Sequence, residues 1–299
     1  MQPLISAAVL AEHMVSSRPP TVLDVRWSLV GPPASQLYAE GHLPGAVFMD
    51  LDTDLADPPG AGGRHPLPDP ARLRDALRRA GVRTGHPVVA YDAADGSVAA
   101  RLWWLLRWAG HRAVSVLDGG YAAWVDEGRP VSTDVPVVVP GDIEVRPGGM
   151  PVMDAGEAAG LAAAGVLVDA RAAARFRGET EPIDPRAGHI PGAVNSPATE
   201  HLGTDGRWLP AAELARRYAA LGVRPGATVG AYCGSGVTAT AVVLALEVAQ
   251  LTGPERPAAL YSGSWSHWCT DPTRPVATGP AVGGGDASGA GPAGDGPRT

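Results

Sequence analysis

Lysine is absent from the 299-residue sequence, and all 24 of its basic side chains are arginines. That excludes chemistry built on a Schiff-base lysine or a P-loop lysine. Cysteine is almost as scarce, with Cys233 and Cys269 alone. Two lone thiols are no disulfide framework and suit a reducing compartment. No CxxC or HExxH spacing occurs, so no metal centre is expected. Basic charge is in deficit: the net charge of -7 gives no concentrated cationic face for nucleic acid. No run of about 18 apolar residues is present to span a membrane. The opening MQPLISAAVLAEHM lacks the blocks of a secretory signal. A cytoplasmic protein is expected.

What the sequence does contain is an internal repeat. Val22-Leu23-Asp24-Val25-Arg26 returns as Leu167-Val168-Asp169-Ala170-Arg171, and Gly41-His42-Leu43-Pro44-Gly45-Ala46 as Gly188-His189-Ile190-Pro191-Gly192-Ala193. Val88 to Asp92 is answered by Val229 to Cys233, and Gly120 to Trp124 by Ser264 to Trp268. The order is kept throughout, at offsets of 141 to 147 positions. Between these anchors helical leucine spacing (residues 70–80 and 211–221) alternates with Val-rich strands ending at Tyr91 and Tyr232. Helices are expected to follow at 97–109 and 237–250. Such alternation predicts an α/β fold, each half a mainly parallel sheet with helices on both faces. The expected divisions are a first domain at 1–135, a Pro/Val/Gly-rich connection from about 130 to 151, a second domain at 151–278, and a disordered tail at 279–299.

One segment carries chemistry. In Tyr232-Cys233-Gly234-Ser235-Gly236-Val237-Thr238 a strand ends at the thiol and a helix begins within a few residues. Two glycines let backbone N–H groups converge on one point, to which the helix N-terminus adds partial positive charge. This setting favours a reactive thiol over an inert buried one, and it would equally stabilise an anionic persulfide. The first half has Asp92 in place of the thiol, so only the second half is catalytic. Thr238 is expected to close the loop or cap the helix. Cys269 has no glycine cradle and reads as a bystander. Trp103, Trp104, Trp124, Trp265 and Trp268 read as packing residues. A cysteine phosphatase would need an arginine six places after the nucleophile; Ala239 stands there.

The duplicated GH(I/L)PGA turns, the Tyr91-Asp92 loop followed by Arg101-Leu102-Trp103-Trp104, Leu117-Asp118-Gly119-Gly120, and the CGSGVT loop together resemble the tandem rhodanese-domain sulfurtransferases over roughly residues 1 to 278. The resemblance implies two rhodanese-like domains with the site at their interface. It implies sulfur transfer through a Cys233 persulfide from a small-molecule donor to a thiol, thioredoxin or cyanide acceptor. Thiosulfate-type members carry two cations in the loop, where this chain has Gly234 and Ser235. The neutral loop is similar to the mercaptopyruvate type, with thiosulfate as the alternative donor and a non-turnover sulfur-relay module as an alternative of another class. The resemblance further assigns the donor carboxylate to Arg175 and, with altered spacing, to Arg186. It assigns proton relay to Ser235 and His42, although no acidic partner for His42 is evident between Trp27 and Gly41.

Overall fold

The computed structural model describes residues 1–93 and 95–281. Five strands form in each half: β1 (Leu4–Ile5), β2 (Thr21–Asp24), β3 (Val47–Phe48), β4 (Val88–Tyr91) and β5 (Val114–Leu117), then β6 (Val152–Met153), β7 (Val166–Asp169), β8 (Val194–Asn195), β9 (Val229–Tyr232) and β10 (Ala259–Tyr261). All pair in parallel, in the orders β1-β5-β4-β2-β3 and β6-β10-β9-β7-β8. The expected duplicated α/β architecture is therefore what the chain adopts. The central strands of the two sheets, β4 and β9, are apolar and buried at every residue because helices cover both faces, leaving no polar side.

The helices begin where their sequences provide caps. Asp69 accepts from the Ala71 and Arg72 amides at the start of Pro70–Arg79, and Asp154 forms a capping box with Glu157 ahead of Ala155–Ala164. The helices after β4 and β9, Ser97–Trp108 and Ala239–Val248, pack against each other between the halves. Both are apolar almost all round because each is covered by its own sheet and by the other helix. Trp103 and Trp104 fill this interface, and Trp124 and Trp265 are equally buried in their own halves, as packing residues.

Residues 127–151 contain no helix or strand but are strapped to the first half. Ile143 and Met150 are buried, and the Ile143, Arg146 and Gly149 amides donate to Val82, Ala109 and Trp108 carbonyls. Of the tail expected from 279, residues 282–299 lie outside the described residues. Gly279 still donates to the Arg177 carbonyl, so the packed chain runs slightly past the expected boundary. Among the described residues no helix is long and apolar enough to cross a membrane.

Candidate active site

In each sheet the chain reverses its winding between the second and fourth strands, and the loop after the fourth strand opens onto that crevice, where parallel α/β folds place ligands. In the second half this loop is Cys233 to Thr238. Cys233 is buried; its amide donates to Ser264 Oγ (3.0 Å), and its sulfur accepts the Gly236 amide (3.2 Å). The turn requires glycine at 236, where φ is +86° and a Cβ would sit 2.2 Å from the Ser262 carbonyl oxygen. The first half shows what the same cradle holds when its anion is built in. The Asp92 carboxylate accepts from the amides of Gly96 (3.0 Å), Val98 (3.0 Å) and Ala99 (3.1 Å). Burial, with help from Asp95, pushes Asp92 up to about 6 against those three donors. The first cradle is thus filled by its own side chain, and only the second can take a transferred group.

Cys233, Gly234, Ser235, Thr238 and Arg175 line one cavity of about 630 Å³. Ser235 and Arg175 therefore sit where the motif placed them. Val237 is buried beside them, and Thr238 stands at the helix start on the cavity wall, without the side-chain cap bond expected of it. His42 and Arg186 do not reach this cavity. His42 is buried in its turn, with Nδ1 2.9 Å from the Tyr38 carbonyl and Nε2 3.1 Å from that of Asp134, stacked on Tyr38. His189 repeats the arrangement on the Phe176 carbonyl and ring. The histidine of the GH(I/L)PGA motif thus holds a turn together in both halves, and in His42 both ring nitrogens are spent on carbonyls. Arg186 is spent on the carbonyls of Asp271 (3.1 Å) and Arg274 (3.2 Å).

A serine–histidine–carboxylate chain is assembled from other residues. Ser235 Oγ lies 2.8 Å from His65 Nδ1, and His65 Nε2 lies 3.0 Å from Asp52 Oδ1. A carboxylate can only accept, so Asp52 fixes the proton on Nε2 and leaves Nδ1 to accept from the Ser235 hydroxyl. Trp27 donates to Asp52 Oδ2 (3.1 Å) and meets the His65 ring edge-on. Burial lowers His65 below the usual histidine range, Asp52 opposing and Arg101 and Arg64 assisting, so the ring is neutral near pH 7.

The second cation of the cavity also comes from the first half. Arg64 and Arg175 both press on Gly234, where a Cβ would meet Arg64 Nη2 at 2.9 Å and Arg175 Nη1 at 3.5 Å. A side chain at 234 would have to push aside the guanidinium ends that supply the charge from outside. Arg175 is held by Glu181 (2.6 Å) and Asp184 (3.0 Å), and Arg64 by Asp184. Burial alone would raise Glu181, but Arg175 and the Ile183 and Asp184 amides hold it below the usual carboxylate range.

Behind the loop, the fully buried Arg101 grips the Gly236 carbonyl (3.2 Å) and those of Leu55, His65 and Pro66 (3.2–3.3 Å). One guanidinium thereby ties the cysteine loop to the strand of chain that carries the relay histidine. Burial pulls it down to about 10, with Cys233 opposing. Arg101→Met is expected to lower kcat/KM by on the order of 10²-fold for every sulfur donor alike, because it displaces the loop and not a substrate contact. Parallel assays with two donors check this.

A sequence signal for the missed pair does exist. Gly63-Arg64-His65 returns 143 positions later as Gly206-Arg207-Trp208. Each half lends this segment to the other: Arg64 and Ser266 are joined by a backbone donor (3.1 Å), and the Trp208 amide donates to Asp118 (2.8 Å). Trp208 packs over Gly96 of the filled cradle. The exchanged segment thus brings a base to the working site and a tryptophan plug to the silent one.

A Rhodanese-like domain model matches residues 6–127 and 154–271. A Pseudomonas aeruginosa protein named a probable 3-mercaptopyruvate sulfurtransferase is 48% identical over 283 residues, covering 92% of this chain and 98% of that protein. A Mycobacterium tuberculosis protein provisionally named a thiosulfate sulfurtransferase is 44% identical, covering 94% and 98%. The crystal structure of an Escherichia coli 3-mercaptopyruvate sulfurtransferase superposes with a TM-score of 0.76 at 31% identity, over 89% of this chain and 100% of that one. With both halves matched and one cysteine cradle open between them, the chain belongs to the rhodanese family and is a two-domain sulfurtransferase, moving sulfur from a donor to a thiol acceptor.

Proposed function

We propose that the donor is 3-mercaptopyruvate. The observation that carries this reading is the Ser235–His65–Asp52 chain beside Cys233. The two donors named among the relatives differ in what they ask of such a chain. With thiosulfate, the Cys233 thiolate attacks the outer sulfur, the S–S bond breaks and sulfite leaves with the bonding pair; no proton moves. With mercaptopyruvate, the thiolate attacks the thiol sulfur, the C–S bond breaks, and the pair is left on carbon as an enolate. That carbon must gain a proton to become pyruvate, and the sulfur must lose the one it arrived with. The Ser235 hydroxyl, backed by neutral His65, is placed to take the proton from the sulfur and deliver it to the carbon. A relay has work to do only with the second donor.

Arg64 and Arg175 hold the donor carboxylate against Gly234. The persulfide anion then rests in the cradle that Asp92 imitates in the first half, with the Gly236 amide already directed at the sulfur. Its outer sulfur passes to an acceptor thiol, thioredoxin or cyanide by displacement, restoring the Cys233 thiolate. The chemistry needs no metal or organic cofactor, and a cytoplasmic, reducing setting is part of the same reading.

Mixing enzyme with 3-mercaptopyruvate and no acceptor should release one equivalent of pyruvate per Cys233 in a burst. Steady-state kcat/KM for mercaptopyruvate should exceed that for thiosulfate by tenfold or more, about 1.4 kcal/mol. A preference for thiosulfate would leave the persulfide chemistry standing and overturn the donor.

A further inference from the structure

The arginines around the nucleophile are matched by carboxylates one for one. Arg171 is paired with Asp169 (2.6 Å), Arg175 with Glu181 (2.6 Å), and Arg64, crossing from the first half, with Asp184. Asp184 is shared: its other oxygen lies 3.0 Å from Arg175 Nη2. The side chain is only 3% exposed and is not on the cavity wall, so it touches the two cations from behind and leaves their outer faces to the donor. Its own amide is bound to Glu181 Oε1 (3.1 Å), which fixes it on the same short turn. Across the cavity Asp52 and Asp95 add negative charge, and His65 adds none while neutral.

We propose that Asp184 sets the charge of the donor this site accepts. Together with Glu181 it neutralises the Arg64–Arg175 pair and leaves a wall that can orient one carboxylate through hydrogen bonds but has no surplus positive charge for a dianion. The inference rests on the reading of Arg64 and Arg175 as the donor-anion site. Asp184 acts through those two arginines as a positioning residue. Thiosulfate brings two negative charges beside a thiolate, and mercaptopyruvate brings one. An unbalanced positive charge in this half-buried wall would therefore favour thiosulfate selectively.

The test is the ratio of kcat/KM for thiosulfate to that for 3-mercaptopyruvate, measured on the full chain, since general damage to the enzyme cancels in it. Asp184→Asn should raise the ratio tenfold or more, and the gain should shrink as ionic strength rises. Asp184→Glu, which restores the charge, should stay within about threefold of the wild-type ratio. Arg64→Gln, with Asp184 kept, should move the ratio the opposite way and keeps the proposal testable if the asparagine variant does not fold. An unchanged ratio in Asp184→Asn while both donors still load Cys233 would overturn the proposal. So would a glutamate variant shifted as far as the asparagine one, or Arg64→Gln moving the ratio upward. Failure of wild-type Cys233 to take sulfur from either donor would instead overturn the underlying functional reading, and intact-mass detection of the persulfide tells the two apart.

Discussion

Cys233→Ser will take up no sulfur from any donor, and turnover will fall by roughly three orders of magnitude or more, the scale of losing a covalent nucleophile. A hydroxyl oxygen cannot form or discharge a persulfide, and the second thiol cannot stand in. Cys269 is buried in the second half's core, where desolvation raises it above the usual thiol range. The fold should be indifferent to the change. Serine is close to cysteine in size, and its oxygen can accept the Gly236 amide that the sulfur now accepts. The check is intact mass after exposure to donor, with Tm held within about 4 °C of wild type, the shift that about 1 kcal/mol produces. Full turnover in this variant would remove Cys233 from the mechanism, and Cys269→Ser should behave as wild type.

The second large effect is expected at a residue that no motif announced. His65→Gln should lower the mercaptopyruvate half-reaction by on the order of 10² to 10⁴-fold, the range for positioned acid–base catalysis. The thiosulfate half-reaction should change by only a few fold, because it moves no proton. The pH profile carries the same information. Burial lowers the folded-state pKa of His65, so the neutral ring that accepts from Ser235 persists below the ordinary histidine value of about 6.5. The rate with mercaptopyruvate should therefore fall as pH drops through that lowered value, and the acid limb should vanish in His65→Gln. Asp52→Asn should weaken the same limb, since it removes the acceptor that fixes the ring's proton on Nε2. Equal losses with both donors in His65→Gln would assign the histidine to holding the cysteine loop, through its ring contact with Ser235, and not to proton transfer.

The non-catalytic half is thus not a passive copy. Asp52, Arg64, His65 and Arg101 all belong to it, and together they bring a histidine–carboxylate pair, a cavity arginine and the clamp on the cysteine loop. Asp92 closes its own cradle, and Trp208 plugs it from the opposite side. Duplication followed by division of labour is visible in which side chain each exchanged segment delivers.

The sequence by itself determined the duplicated α/β fold, the nucleophile and its loop, because each is written in contiguous residues. A Val-rich strand, a glycine turn and a helix start need only local backbone preferences to form, and the repeat displays them twice. Arg175 was legible for the same reason, lying in a short segment next to its own strand. Only the tertiary structure decided the relay and the second cation. His65 and Ser235 are 170 positions apart and meet because two apolar helices pack the halves together, a contact whose geometry no local pattern encodes. A motif histidine was the natural candidate for the base, but burial against two carbonyls spends His42 on its turn. The histidine that meets Ser235 is the one that breaks the repeat, standing where the other half has Trp208.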